Sequence, residues 1–177
     1  MRSRFDEQLT LLNRELIAMG ALCEEVISLA AQALLTGSSE TAARVAPLDA
    51  EIDEKERQIE TLCLKLLLHQ QPVARDLRQV SAALKMITDM ERIGDQAADI
   101  SEIIGYLNGR TGGDDVHINK MAQATIKMVT GSVEAFVRQD VEAAREVVDW
   151  DDVVDDLFDQ VKNSLISMIA AKPNEGE

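Results

Sequence analysis

The residues of this chain that could do chemistry are carboxylates placed where a helix would put its apolar seam. In the segment DMERIGDQAAD, Glu91 falls on a seam position, and Asp95 and Asp99 follow at successive four-residue steps. That spacing stacks three carboxylates along one side of a helix. Asp49 lies four residues after Val45 and three before Ile52, with Asp53 one turn later, and Asp151 lies between Val147 and Val154, with Asp155 one turn later. Like charges four apart oppose a helix by a few tenths of a kcal/mol when exposed, and burial makes them far costlier. A bound cation offsets that repulsion. An all-oxygen donor set on facing helices selects hard ions such as Mg, Mn, Ca or Fe over thiolate-seeking zinc. The competing reading is that Arg44, Lys55, Arg57, Arg75, Arg78 or Arg92 neutralises these acids at interhelical rims. Recurrence on three helices favours metal, as does the run DWDDVVDDLFD, which holds six Asp and no base.

Other chemistry is poorly supported. His69 and His117 are single and far apart, whereas a di-iron carboxylate oxidase would want paired Glu-xx-His motifs. Cys23 and Cys63 lack a CxxC spacing, which argues against a thiolate metal site or a disulfide framework. No nucleophile triad is present, and GRTGG is too loose to be a phosphate cradle. Arg75, Asp76 and Arg78 in QQPVARDLR read as local ion pairs or as a docking surface beside a turn.

Helices are the elements that must hold these side chains. Phe5, Leu9, Leu12, Leu16, Met19, Cys23, Val26, Ala30 and Ala33 follow steps of four and three, the seam of one long helix. Gly37 can end it in the left-handed conformation, and Ser38 or Ser39 can cap the next helix, which runs to about Gln70 with Pro47 as a late first turn or a kink. Pro72 predicts a sharp turn. A third helix runs from near Val73 to about Leu107, its seam reading Val73, Leu77, Val80, Leu84, Ile87, Glu91, Gly94 and Ala98. The glycine-rich, acidic stretch from Asn108 to Asp115 reads as a linker. Ile118, Met121, Thr125, Met128 and Ala135 then mark a fourth helix broken near Gln139, with Asp140 an N-cap, and a fifth runs from about Val141 to Ala171.

A shift of 102 residues lays the first two helices on the last two without a gap, placing Met19 on Met121, Ala33 on Ala135, Val45 on Val147, Asp49 on Asp151 and Asp53 on Asp155. The expected organisation is all-α: a three-helix bundle over residues 1–108, a linker over 109–115, and a second bundle over 116–177 that is a two-helix hairpin without its third helix. Such a hairpin leaves an apolar stripe to be covered by the first half or by a second copy.

The formal net charge is -14, with 18 basic and 32 acidic residues. That balance excludes nucleic-acid binding, which needs clustered Lys and Arg, and points to cations or basic protein surfaces. The amino terminus has no apolar signal-peptide core, and no uninterrupted apolar run approaches the roughly 20 residues of a membrane span. A cytoplasmic protein without membrane insertion is expected.

The segments RSRFDEQLTLLNRELIAMG, LDAEIDEKERQIE, HQQPVARDLRQVSAALK and DMERIGDQAADI together closely resemble the PhoU family of phosphate-specific transport accessory proteins. The resemblance implies tandem three-helix bundles and a non-enzymatic negative regulator of the phosphate-starvation response. Such a regulator links the ATPase subunit of the phosphate ABC transporter to a membrane sensor histidine kinase, and a homodimer is expected. The family's acid-xxx-Asp metal motif falls on Asp49 with Asp53 and on Glu91 with Asp95, which Asp99 extends by a turn. In the second half it falls on Asp151 with Asp155, without a matching ERIGD-like helix. Mg, Mn or Fe is the expected cofactor. The alternative to a regulator is a carboxylate-bundle enzyme or metal store.

Overall fold

The computed structural model describes residues 2–70, 74–107 and 115–171, which form seven helices and no strand. They are α1 (Arg2–Thr36), α2 (Ser39–Ala43), α3 (Val45–Gln70), α4 (Ala74–Leu107), α5 (Asp115–Arg138), α6 (Val141–Asp149) and α7 (Asp151–Ala171). The turn expected at Pro72, the helix start at Val73 and the linker residues 108–114 lie outside the described residues.

Helix α1 is the axis of the molecule. Its predicted seam is buried from Phe5 through Leu12, Leu16, Met19, Cys23, Val26, Ala30 and Ala33, with Leu9 partly buried beside it. Helices α3 and α4 close on this seam to complete a three-helix bundle, and α5 packs along another side of α1. Val129 and Val133 of α5 thereby join the same apolar core as α1, α3 and α4. Between Phe5 and Thr36, α1 is long and apolar enough to cross a membrane by length and composition. In the fold its apolar stripe is instead covered by neighbouring helices.

The second and fifth predicted helices are each divided in two. Arg44 separates α2 from α3 and Trp150 separates α6 from α7, both with near-helical dihedrals that tighten a turn rather than reverse the chain. Pro47 is the third residue of α3, where its missing N–H costs nothing because the first-turn donors have no intrahelical acceptor.

The internal repeat is visible in backbone detail. Gly37 has φ 64°, and its counterpart Gln139 has φ 56°. One residue on, Ser38 accepts from the Thr41 amide and Asp140 from the Ala143 amide, so both halves turn and cap in register. Ala33 and Ala135, Val45 and Val147, and Ile59 and Val161 are buried pairwise at the same shift. Gly20 lies at the α1–α5 crossing, where an added Cβ would come within 3.3 Å of Val133. Thr130 Oγ1 donates to Glu24 Oε1 at 2.6 Å across the same contact.

Candidate functional site

Helices α3 and α4 set their carboxylates face to face. The buried seam of α4 runs through Val80, Ala83, Ile87, Met90, Gly94 and Ala97. It therefore passes through Ala83, Met90 and Ala97, not through Leu84, Glu91 and Ala98 as the sequence pattern suggested, and Leu77 of that pattern is exposed. Glu91 sits half-buried on the flank of that seam, and Asp95 and Asp99 stand one and two turns along, exposed. Opposite them on α3, Asp49 and Asp53 are half-buried and flank the fully buried Ile52.

The electrostatics of this face are those of acids without a counter-charge. Burial raises the Asp49 carboxyl above its ordinary value, and the charges of Asp53, Asp95 and Asp99 add to the rise. Glu91 is raised by burial and then by Asp95, Glu56, Asp53 and Asp49. Of the six bases proposed as rim partners, Lys55 pairs with Glu15 at 2.8 Å, Arg57 with Glu54 at 3.3 Å and Arg92 with Asp89 at 3.6 Å, and Arg75 is bonded to Gln139. Among the described residues none of the five acids has an ion pair, so the rim-pairing reading fails for this face.

Asp49 Oδ1 is buried with no hydrogen-bond partner, which leaves an acceptor aimed into the interhelical seam. Gly94 makes that position possible, because a Cβ built there would stand 2.5 Å from Asp49 Oδ1. An orphaned carboxylate oxygen, a glycine that admits it and an all-carboxylate surround fit a hard cation. No three carboxylate, thiol or imidazole side chains among the described residues already converge on an ion-sized point. The site is therefore a facing pair of acidic helix edges rather than a finished coordination shell.

Glu56 was not among the acids singled out from the sequence. It follows Asp53 by three residues, accepts from Thr88 Oγ1 at 3.4 Å and contributes to the rise at Glu91. The i+3 spacing from Asp53 was the signal that could have found it. In the second half Asp151 and Asp155 sit exposed at the start of α7. Asp151 borders a cleft with Asp89 and Met90 of α4 and Thr125 and Met128 of α5.

The three residues beside the turn have separate roles. Arg75 donates through Nη2 to Gln139 Oε1, and Gln139 Nε2 donates to Gln79 Oε1 at 3.0 Å, tying α4 to the α5–α6 turn. Asp76 lies in the first turn of α4, where a negative charge suits the helix dipole. Arg78 lies on the rim of a cleft between α4 and α6. Both cysteines are free and buried, and burial pushes Cys23 up to about 12 and Cys63 to about 11, so both are protonated thiols at neutral pH.

Residues 16–104 and 118–177 each match the family model described as the PhoU domain. The chain is 34% identical over 171 residues to a phosphate-specific transport system accessory protein PhoU homolog of Clostridium acetobutylicum, covering 96% of this chain and 78% of that protein. It is 37% identical over 165 residues to the homolog of that name from Synechocystis sp., covering 93% and 74%. The crystal structure of PhoU from Pseudomonas aeruginosa superposes with a TM-score of 0.87 at 30% identity, over 96% of this chain and 82% of that one.

Proposed function

The chain belongs to the PhoU family, and on that premise we propose that it is a metal-binding regulator that couples phosphate transport to a sensor histidine kinase. The coarser part of this role is that of an accessory protein of phosphate-specific transport. The relatives are named for an accessory role, which displaces the reading of the bundle as an enzyme. The finer parts of the proposal are metal binding, contact with the transporter's ATPase subunit and with the kinase, and repression of the starvation response from the cytoplasm.

The observation that carries the metal part is the unpartnered Asp49 Oδ1 between two acidic helix edges. Asp49, Asp53, Glu91 and Asp95 would hold the ion, with Glu56 and Asp99 at its borders. A hard cation held there would offset the repulsion between the two acidic helix edges and so favour the packed arrangement of α3 and α4. The residues of this chain do the rest: Gly94 admits the Asp49 carboxylate, and Ile52 shields one side of it from water. Regulation follows if partners prefer the packed arrangement, because a ligand shifts an equilibrium only by its differential affinity for the two states. Homodimerisation belongs to the same proposal, with the exposed Phe158, Ile166 and Ile169 of α7 available for it.

The test is the metal content and affinity of the purified chain for Mg, Mn and Fe beside Glu91→Ala/Asp95→Ala, followed by capture of the ATPase subunit with and without metal. Stoichiometric metal lost in the double variant supports the site. An equally metal-free pair of proteins, with the variant as stable as the parent or more so, would sink it.

A further inference from the structure

A cleft of about 580 Å³ lies between the start of α4, the end of α5 and α6. Ala135, Phe136, Ala144 and Val147 line it, and Val141 and Val148 stand at its edge, 62% and 71% exposed. Its size falls within the roughly 300–1,000 Å³ of ligand clefts, but its open shape and apolar lining suit side chains of another chain rather than a small polar molecule. Arg75 and Arg78 border this apolar surface. Arg78 has neither an ion pair nor a hydrogen bond among the described residues. Arg75 is held by the neutral amide of Gln139, which fixes its guanidinium without cancelling its charge. The acid on the lining, Asp140, is turned onto the Ala143 amide as an N-cap.

Two uncancelled guanidiniums beside an apolar floor stand out on a chain of net charge -14. We propose that this cleft docks an acidic amphipathic segment of a partner protein, whose apolar side chains fill the floor while its carboxylates meet Arg75 and Arg78. Arginine suits this because its planar fork takes a carboxylate through two parallel hydrogen bonds. The rest of the surface supplies specificity: an acidic segment is repelled from the aspartate-rich face of α7 and from the α3–α4 edge, so the cleft is where its charge is tolerated. The inference rests on the reading of the chain as an adaptor and adds the chemistry of what it recognises. It is independent of metal at the α3–α4 edge.

The probe is a fluorescein-labelled helical peptide of about five turns, with Leu on one face and Glu on the other, titrated into the full chain. The same peptide with Lys in place of Glu, and vesicles of phosphatidylglycerol, serve as competitors. The expected result is saturable binding of the acidic peptide that weakens with salt and falls about tenfold in Arg78→Glu. Ala144→Trp, which fills the cleft from α6, abolishes binding while helicity and melting temperature are kept. The assignment is overturned if the Lys peptide binds as tightly as the Glu peptide, if vesicles are taken up in its place, or if Arg78→Glu binds like the parent. Failure of every peptide in a chain that still captures the ATPase subunit removes the cleft and leaves the accessory role standing. Failure of both removes the adaptor reading as well.

Discussion

Asp49 and Gly94 make one local device, and each predicts something different. Alanine at position 94 gains up to about 1 kcal/mol of helix propensity over glycine, but its Cβ needs the place held by Asp49 Oδ1. That oxygen ends a short, rotatable side chain, so the carboxylate swings aside instead of the helices parting. Gly94→Ala is therefore expected to leave urea stability within about 1 kcal/mol of the parent, the gain offsetting the displacement. Metal affinity measured by calorimetry should fall by tenfold or more, about 1.4 kcal/mol. The raised carboxyls of Asp49 and Glu91 predict a pH dependence of definite sign. Both groups bind protons more readily folded than unfolded, so the metal-free fold gains stability as pH falls from neutral through the folded values toward the unfolded ones. Denaturant midpoints measured without metal should rise on mild acidification. With Mn present the trend should reverse, because protons then compete with the ion for the same oxygens.

Among the elements, α1 was the most legible, because its apolar residues keep the four-and-three rhythm with little competition from other signals. The ends at Gly37, Ser38 and Asp140 were equally legible, since each has a residue type with one physical reason to be there. The register of α4 was misread on both sides of Ile87 because Leu77, Leu84, Glu91 and Ala98 keep a seven-residue rhythm as well as Ala83, Met90 and Ala97 do, and only packing against α1 and α3 decides between them. Packing gave Met90 and Ala97 the inside and put Glu91 on the edge, where it meets Asp53 and Glu56. The break at Trp150 had no proline or glycine to announce it. The junction there is closely packed: a Cβ on Gly131 would lie 2.8 Å from both Trp150 and Val147, so α5 and the α6–α7 junction touch through a missing side chain. Lys127 Nζ lies 3.8 Å from the centroid of the Trp150 ring on its other contact. Gly131→Leu should therefore cost about 1–3 kcal/mol by overpacking. As the chain has one tryptophan, a red shift of its fluorescence should report the loosened junction directly. An unshifted spectrum at full stability would mean that the contact is not tight.

For the whole molecule, the charge balance sets how stability responds to ions. A fold with net charge -14 and a facing pair of acidic edges is held back by self-repulsion, which salt relieves by screening and a bound divalent ion relieves locally. Binding to the folded state alone raises stability by about 2.7 kcal/mol when the free ion is at 100 times its Kd. Millimolar Mg or Mn should therefore raise the melting temperature well beyond sodium at the same ionic strength, and Asp49→Asn/Glu91→Gln should erase that difference. If sodium matched the divalent ions, the effect would be screening and no site would be needed.

The two turns of the repeat differ in what makes them possible. Gly37 takes its positive φ at no steric cost, so the first turn can form from its own sequence. Gln139 takes nearly the same φ against its Cβ, and its amide is held by Arg75 and Gln79 of the first half. The second turn is thus supported by the first half, which predicts an order of folding with the amino-terminal bundle first. In a refolding experiment Trp150 should reach its native emission after the bulk of the helix signal, and Arg75→Ala should widen that delay.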